Sequence, residues 1–487
     1  MTSRDGARGA AMDGSPNWFS WTALVLFAPL VMVLFARLQP VLATVVTMLG
    51  AVMFLPEVIR FDPPLLPPID KQTLATFWVF IGCLWRARDR VRSAKVMRGV
   101  DSFFWLVLIG SIGTALTNPD DVVTGPVVRQ GLTTYDAFAG VVKDVLFVFL
   151  PFFIGRAMFR TPDDLRVFLK ALVVAGLVYS LFALFEIRMS PQTHWQIYGY
   201  HPASFEMMMR GGGYRPTICM ITGLAVAMFF LSSIMASIAR TKTGESKWYV
   251  PTYLTTVFVL CKSTGAIVYG LFLIPLMSFV RRPKLWLPLV LAGLVFTFPL
   301  LRHADLFPTR QITDFFMGIS EDRALSLWFR FENEDQLLDR ARERLWFGWG
   351  GYSRQRVYDP MTGEDLSVTD GHWIIQLGER GMVGYVGMFG LLLWPIVSAF
   401  RARKRIVDEH DRHMVAALAL IVAINAVDLL PNGLFSYLPY FYSGVLAGVL
   451  PAFVAARTSA PGRGPAARAA ARRTAPPPRR SVAPAMA

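Results

Sequence analysis

Trp373-Ile-Ile-Gln-Leu-Gly-Glu-Arg-Gly-Met-Val-Gly-Tyr-Val-Gly-Met-Phe-Gly-Leu-Leu-Leu-Trp-Pro-Ile-Val-Ser-Ala-Phe400 holds only two charges, Glu379 and Arg380, in 28 residues. About 20 apolar residues in a helix cross the hydrocarbon of a bilayer, so this stretch predicts a membrane span. Comparable blocks lie to either side, at residues 103–116, 137–154, 167–187, 216–238, 249–280, 285–301, 414–430 and 434–455. The run 249–280 is too long for one helix, and Lys262-Ser-Thr-Gly265 divides it into two short spans. Weaker candidates occupy 21–38, 41–55 and 74–85. Apolar residues make up 54% of the chain and charged residues 17%, where soluble domains carry about 25% charged residues.

These blocks predict an all-α fold, a polytopic transmembrane helical bundle of about 12–13 spans with one long periplasmic loop. The expected organisation is a disordered N-terminus (1–20), transmembrane helices with short loops (21–301), and the long loop carrying the candidate site (302–372). C-terminal transmembrane helices (373–456) and a disordered Ala/Pro/Arg-rich cytoplasmic tail (457–487) complete it. A signal peptide is not expected, because the first apolar block lacks an adjacent basic lead-in and a small-residue cleavage site.

A net charge of +15 raises the question of nucleic acid, but the placement of the charges points to membrane lipids instead. Basic clusters at 86–98, 156–166, 240–247, 281–284 and 401–405, and in the tail, all fall on one side when the spans are counted. The segments 117–135, 188–213, 302–372 and 431–433 then share the opposite face. Residues 302–372 hold nine Arg, no Lys and thirteen Asp or Glu, the bias of a translocated loop. Two or three spans before Arg86 leave the side of Met1 open. The implied location is the bacterial inner membrane. Cys83, Cys219 and Cys261 sit in apolar blocks and read as small buried hydrophobes.

Ionisable residues within the spans are few. Lys143, Lys262 and Asp428 each lie near a block end or break, where they can snorkel or face a polar loop. The loop face is denser in such groups, which favours chemistry at the membrane surface over solute transport. Within 302–372, residues 336–344 predict a short amphipathic helix with Leu337, Leu338, Ala341 and Leu345 on its apolar side. Gly348-Trp-Gly-Gly351 ends it with backbone that glycine adopts easily. Trp195, Tyr198 and Tyr200 read as an interfacial aromatic belt before a sugar platform.

The ordered features Arg330, Trp346-Phe-Gly-Trp-Gly350 and Glu379-Arg-Gly-Met-Val-Gly384, with Gly213-Tyr-Arg215-Pro upstream, resemble the O-antigen ligase and O-antigen polymerase family of membrane glycosyltransferases. Leu345 stands where that family usually has Pro, and Lys262-Ser-Thr-Gly-Ala266 lacks the Arg of its Ser-Arg-Gly-Ala break. Counting back from Glu379 aligns Asp370 with the family's His, while His372 lies two residues later.

The resemblance implies transfer of a glycan from a polyprenyl-diphosphate donor to a glycan or lipid-linked acceptor, an inverting reaction that uses no metal and no cofactor. Arg215 and Arg330 are then the expected diphosphate ligands, because a guanidinium binds phosphate oxygens bidentately and stays charged. His372 or Asp370 would take the acceptor's proton, with imidazole chemistry favouring His372, and Glu379 would play a supporting part. A secondary transporter and a non-catalytic part of a polysaccharide export machine are the competing readings.

Overall fold

The computed structural model describes residues 13–63, 67–94, 99–210, 212–318 and 321–459. The predicted disordered segments therefore fall largely outside the described residues, at 1–12 and 460–487, as do 95–98 of one basic cluster. The fold is all-α, with 71% helix. In chain order the helices are α1 (Trp18–Arg37), α2 (Pro40–Phe54), α3 (Lys71–Arg86), α4 (Arg88–Ser93), α5 (Phe103–Thr117) and α6 (Thr134–Asp144). Next come α7 (Leu150–Met158), α8 (Pro162–Met189), α9 (Thr193–Tyr198), α10 (Gly223–Lys242), α11 (Tyr249–Leu260) and α12 (Thr264–Phe279). The chain continues through α13 (Trp286–His303), α14 (Thr309–Met317), α15 (Glu321–Glu343), α16 (His372–Ala402), α17 (Glu409–Asp428) and α18 (Leu438–Ser459).

Among the described residues, eight helical runs are long and apolar enough to cross a membrane, and α2, α11, α12 and Leu438–Val454 are shorter apolar helices. The chain is a multi-pass membrane protein. Helices suit that setting because every backbone hydrogen bond closes within the segment, with no water needed. The long α8 shows how the sequence starts one. Thr161 and Asp164 cap each other's backbone, and Pro162 occupies the first turn, where its missing N–H costs nothing.

The two ends of the bundle differ in chemistry. At one end the basic clusters pair with scattered acids: Arg90 with Asp164 at 2.9 Å, Arg166 with Asp411 at 3.0 Å, and Arg240 with Glu245 at 2.8 Å. At the other end the predicted loops gather. Arg344 reaches Asp120 at 2.6 Å, the His372 amide donates to the Asn432 carbonyl at 2.9 Å, and Tyr352 donates to Asp136 at 2.9 Å.

The N-terminal strand Asp13–Gly14 pairs with Tyr200–His201 at this loop end, and Asn17 caps α1 there while donating to the Ile197 carbonyl. Arg86, closing α3, donates to the Phe35 carbonyl at the end of α1. Three helices thus precede Arg86, and residue 13 lies on the loop side.

Among the described residues three helical runs are broken, and the breaks frame the site. A π-helical turn, Val145–Phe149, joins α6 to α7 immediately after Lys143 and Asp144. Lys262, with φ 52°, separates α11 from α12 as the sequence predicts. Gly381, with φ 62°, interrupts α16. About half of the loop 302–372 is itself helical, in α14 and α15. Its predicted short helix is the end of the 23-residue α15, with Leu337, Leu338 and Ala341 buried and Leu345 exposed beyond the helix.

Candidate functional site

The break in α16 is closed by the glycine-rich turn. Gly381 frees the backbone groups around it, and residues 345–350 take them up. Met382 and Val383 donate to the carbonyls of Leu345 and Trp346 at 2.8 and 3.2 Å, while Trp349 and Gly350 donate to those of Gly378 and Glu379 at 2.8 and 2.9 Å. A Cβ on Gly381 would lie 2.4 Å from the Trp346 carbonyl, so glycine is demanded by both conformation and space. Arg340 and Arg344 stack on Trp349 with guanidinium carbons 3.3 and 4.2 Å from the ring centroid. The two sequence motifs, Trp346–Gly350 and Glu379–Gly384, are thus the two halves of one clasp.

Above the clasp, Arg330 on α15 meets Asp370, with Nε 3.3 Å from Oδ2 and the side chains 42% and 39% exposed. Asp370 does not cap α16; Gly371 holds that position without a side-chain bond. Beside this pair lies Glu334, a residue the sequence offered only as one acid among many. It is buried, accepts from the Trp373 indole at 3.3 Å, and stands 3.5 Å from Arg302 with no hydrogen bond to its Oε2. Burial lifts its carboxyl from the ordinary range to about 7, against the pull of Arg302 and the indole. What could have singled it out is its place on the buried face of α15, in step with Leu337, Leu338 and Ala341.

His372 lies beneath. The residue is 7% exposed, its ring packs 6.1 Å from Phe389, and Nε2 has no hydrogen-bond partner. Of the two residues proposed for the proton, Asp370 therefore faces the surface and His372 the interior. Glu379 is half-buried. Its Oε1 accepts from Gln355 at 3.3 Å, in the wall of a 550 Å³ cavity shared with Lys143 and Arg380. Arg380 binds Ser111 and Asp144.

Arg215 belongs to a separate cluster at the same end. Glu186, fully buried at the end of α8, accepts from the amides of Thr193, Thr217 and Ile218 at 2.9–3.0 Å. That triple grip fixes the strap that carries Arg215. The Arg215 side chain donates to Ser263 at the break before α12, at 2.8 Å, and its Nε is buried without a partner. Its guanidinium is pulled down to about 10, first by burial and then by neighbouring Arg210. Among the described residues no acid lies within ion-pair distance of it. No direct contact joins Arg215 to Arg330. The link is α12, where Ser263 binds Arg215 and Tyr269 faces Asp428. Asn432 bonds Asp428 at 2.9 Å, and its carbonyl receives the His372 amide. Ser263 and Tyr269 are about 9 Å apart along a helix axis.

Tyr198 and Tyr200 are buried, their hydroxyls donating to the Phe54 and Glu57 carbonyls; only Trp195 of the three aromatics is exposed. The three cysteines are buried. No protein-family model matches the chain, and no curated protein matches it.

Proposed function

We propose that this multi-pass membrane protein is a glycosyltransferase, moving an oligosaccharide from a polyprenyl-diphosphate carrier to a sugar hydroxyl at the loop end of the bundle. The observation that carries this reading is Arg215, a half-buried guanidinium whose Nε is buried without a partner, held by a neutral serine and with no acid in ion-pair reach among the described residues. A partly buried charge without a counter-ion is costly, and an anion arriving from the membrane surface relieves that cost. A diphosphate suits it, with Arg210 beside it adding charge. The resemblance of the clasp motifs and of Gly213-Tyr-Arg-Pro216 to the O-antigen ligase and polymerase family supports the same reaction.

In the proposed step the acceptor hydroxyl attacks the anomeric carbon and the bond to the diphosphate oxygen breaks, inverting the configuration. Arg215 and Arg330 neutralise the departing diphosphate, the charge stabilisation that a metal would otherwise provide. Asp370 takes the hydroxyl proton, oriented by Arg330. His372 and Glu379 hold the clasp end of α16 beneath it. The setting proposed is the bacterial inner membrane, with residues 302–372 facing the periplasm.

Asp428, buried at the end of α17 and facing Tyr269, is the observation that favours the competing transporter reading. The deciding experiment incubates the full-length protein in liposomes with a polyprenyl-diphosphate oligosaccharide and a lipid-linked acceptor. Longer lipid-linked glycan, lost in Arg215→Gln and not restored by Arg215→Lys, is expected. No transfer by the wild-type protein, with Asp428-dependent uptake of solute instead, sinks the proposal.

A further inference from the structure

The 550 Å³ cavity under the clasp lies within the size range of small-molecule sites, roughly 300–1,000 Å³. Its walls come from α5, α6, the turn 350–356, the start of α16 and the segment around Arg60. Four cations line it, and each faces an acid. Arg60 pairs with Asp62 at 3.3 Å and Arg356 with Asp365 at 2.5 Å. Arg380 pairs with Asp144, and the Lys143 charge acts on Glu379. Asp136 adds a further carboxylate. The cavity is polar without being cationic.

One wall group is left unsatisfied. Gln355 is 6% exposed and lines the cavity. Its amide nitrogen donates to Glu379, which as a carboxylate only accepts, so the carbonyl oxygen is the atom left over. That Oε1 is buried with no partner. It requires a donor from the occupant, and an ionised diphosphate has none. A hydroxyl does. At the mouth, Tyr352 and Ser353 hold φ of 58° and 62°, conformations that bulky residues rarely adopt and that cluster at ligand sites.

We infer that this cavity binds a neutral saccharide of about disaccharide size, whose hydroxyls donate to Gln355 Oε1 and Glu379 and accept from Lys143 and Arg356. Resting on the proposed glycan transfer, the inference places sugar recognition under the clasp and leaves the diphosphate to Arg215 and Arg330. Uncharged hydroxyls meet alternating donors and acceptors there, whereas a phosphate would have to draw Arg60, Arg356 or Arg380 from an existing ion pair.

The test uses the full-length protein in lipid nanodiscs with maltose, cellobiose, lactose and chitobiose as probes, read by saturation-transfer NMR without any lipid diphosphate. At least one disaccharide should bind, and inorganic pyrophosphate should fail to displace it. Gln355→Met keeps the side-chain length and removes the amide, and should weaken binding about tenfold or more. Gly140→Leu is the second variant. A Cβ at Gly140 meets nothing closer than Ser111 at 3.9 Å, so leucine grows from α6 into the cavity without disturbing the backbone and should abolish binding. No bound disaccharide, displacement by pyrophosphate, or wild-type binding in a folded Gly140→Leu overturns the inference. Saccharide binding without glycan transfer would sink the enzymatic reading alone. Transfer that survives in Gly140→Leu would sink this inference alone.

Discussion

The amide of Met382 donates to the carbonyl of Leu345 across 2.8 Å, so a break inside one membrane helix is repaired by a turn from the loop outside it. Gly381 makes the break, and its φ of 62° is one that an alanine holds only under strain, at a cost on the order of 1–3 kcal/mol. The added methyl would also press on Trp346. Gly381→Ala should therefore lower the melting temperature of the detergent-purified protein and open residues 345–351 to protease. An unchanged melting temperature and cleavage pattern would show that the clasp does not depend on this glycine.

The blocks at 103–116, 167–187 and 373–400 announced their helices because length and apolarity suffice for a span, and Lys262-Ser-Thr-Gly265 announced its break. The clasp was legible as two glycine motifs but not as one object, since backbone bonds between residues 29 to 37 positions apart leave no periodic signal. The length of α15 was hidden by its polar composition; helix formation there follows from packing Leu337 and Leu338 inward, which a charge-rich string masks. Glu334 and Gln355 were invisible for a related reason. Their chemistry comes from burial and from partners distant in sequence, and neither is written in the residue type.

The gathering of the loops at one end predicts their sidedness. Thr362 is exposed at the loop end and Lys284 at the basic end, while the native cysteines are buried and should stay silent. With positive charge retained inside, Thr362→Cys should react with a membrane-impermeant maleimide in intact spheroplasts, and Lys284→Cys only after lysis. The opposite labelling pattern would invert the orientation.

Glu334 gives the loop a pH dependence whose sign is fixed. Its folded pKa is about 7, above the ordinary value of 4.5. Between these values the folded state keeps a proton that the unfolded state has lost, so stability falls as pH rises through the window. Glu334→Gln carries the neutral form at every pH. Its unfolding midpoint should match the wild type near about pH 4.5 and exceed it increasingly toward about pH 7.5, by at most about 3 kcal/mol. Parallel curves for the two proteins would mean that the carboxyl titrates normally.

Proton removal is the step on which residue chemistry and exposure disagree. An imidazole has the better intrinsic pKa for the task, which favours His372. Yet His372 is buried against Phe389, whereas the Asp370 side chain is 39% exposed beside Arg330. Attack on an activated glycosyl diphosphate needs only a weak base, and a base must reach the proton it removes. Under the proposed transfer, Asp370→Asn should lower kcat by about a hundredfold or more, with KM for the donor little changed. Arg330→Lys keeps the charge but not the fork, and should raise KM for the donor as well as lowering kcat. His372→Gln fills a similar volume and should retain most of the turnover. Steady-state transfer assays in liposomes, normalised to folded protein, separate the cases. If His372→Gln is inactive and Asp370→Asn active, the base is the histidine, and the loop must move to admit the acceptor to it.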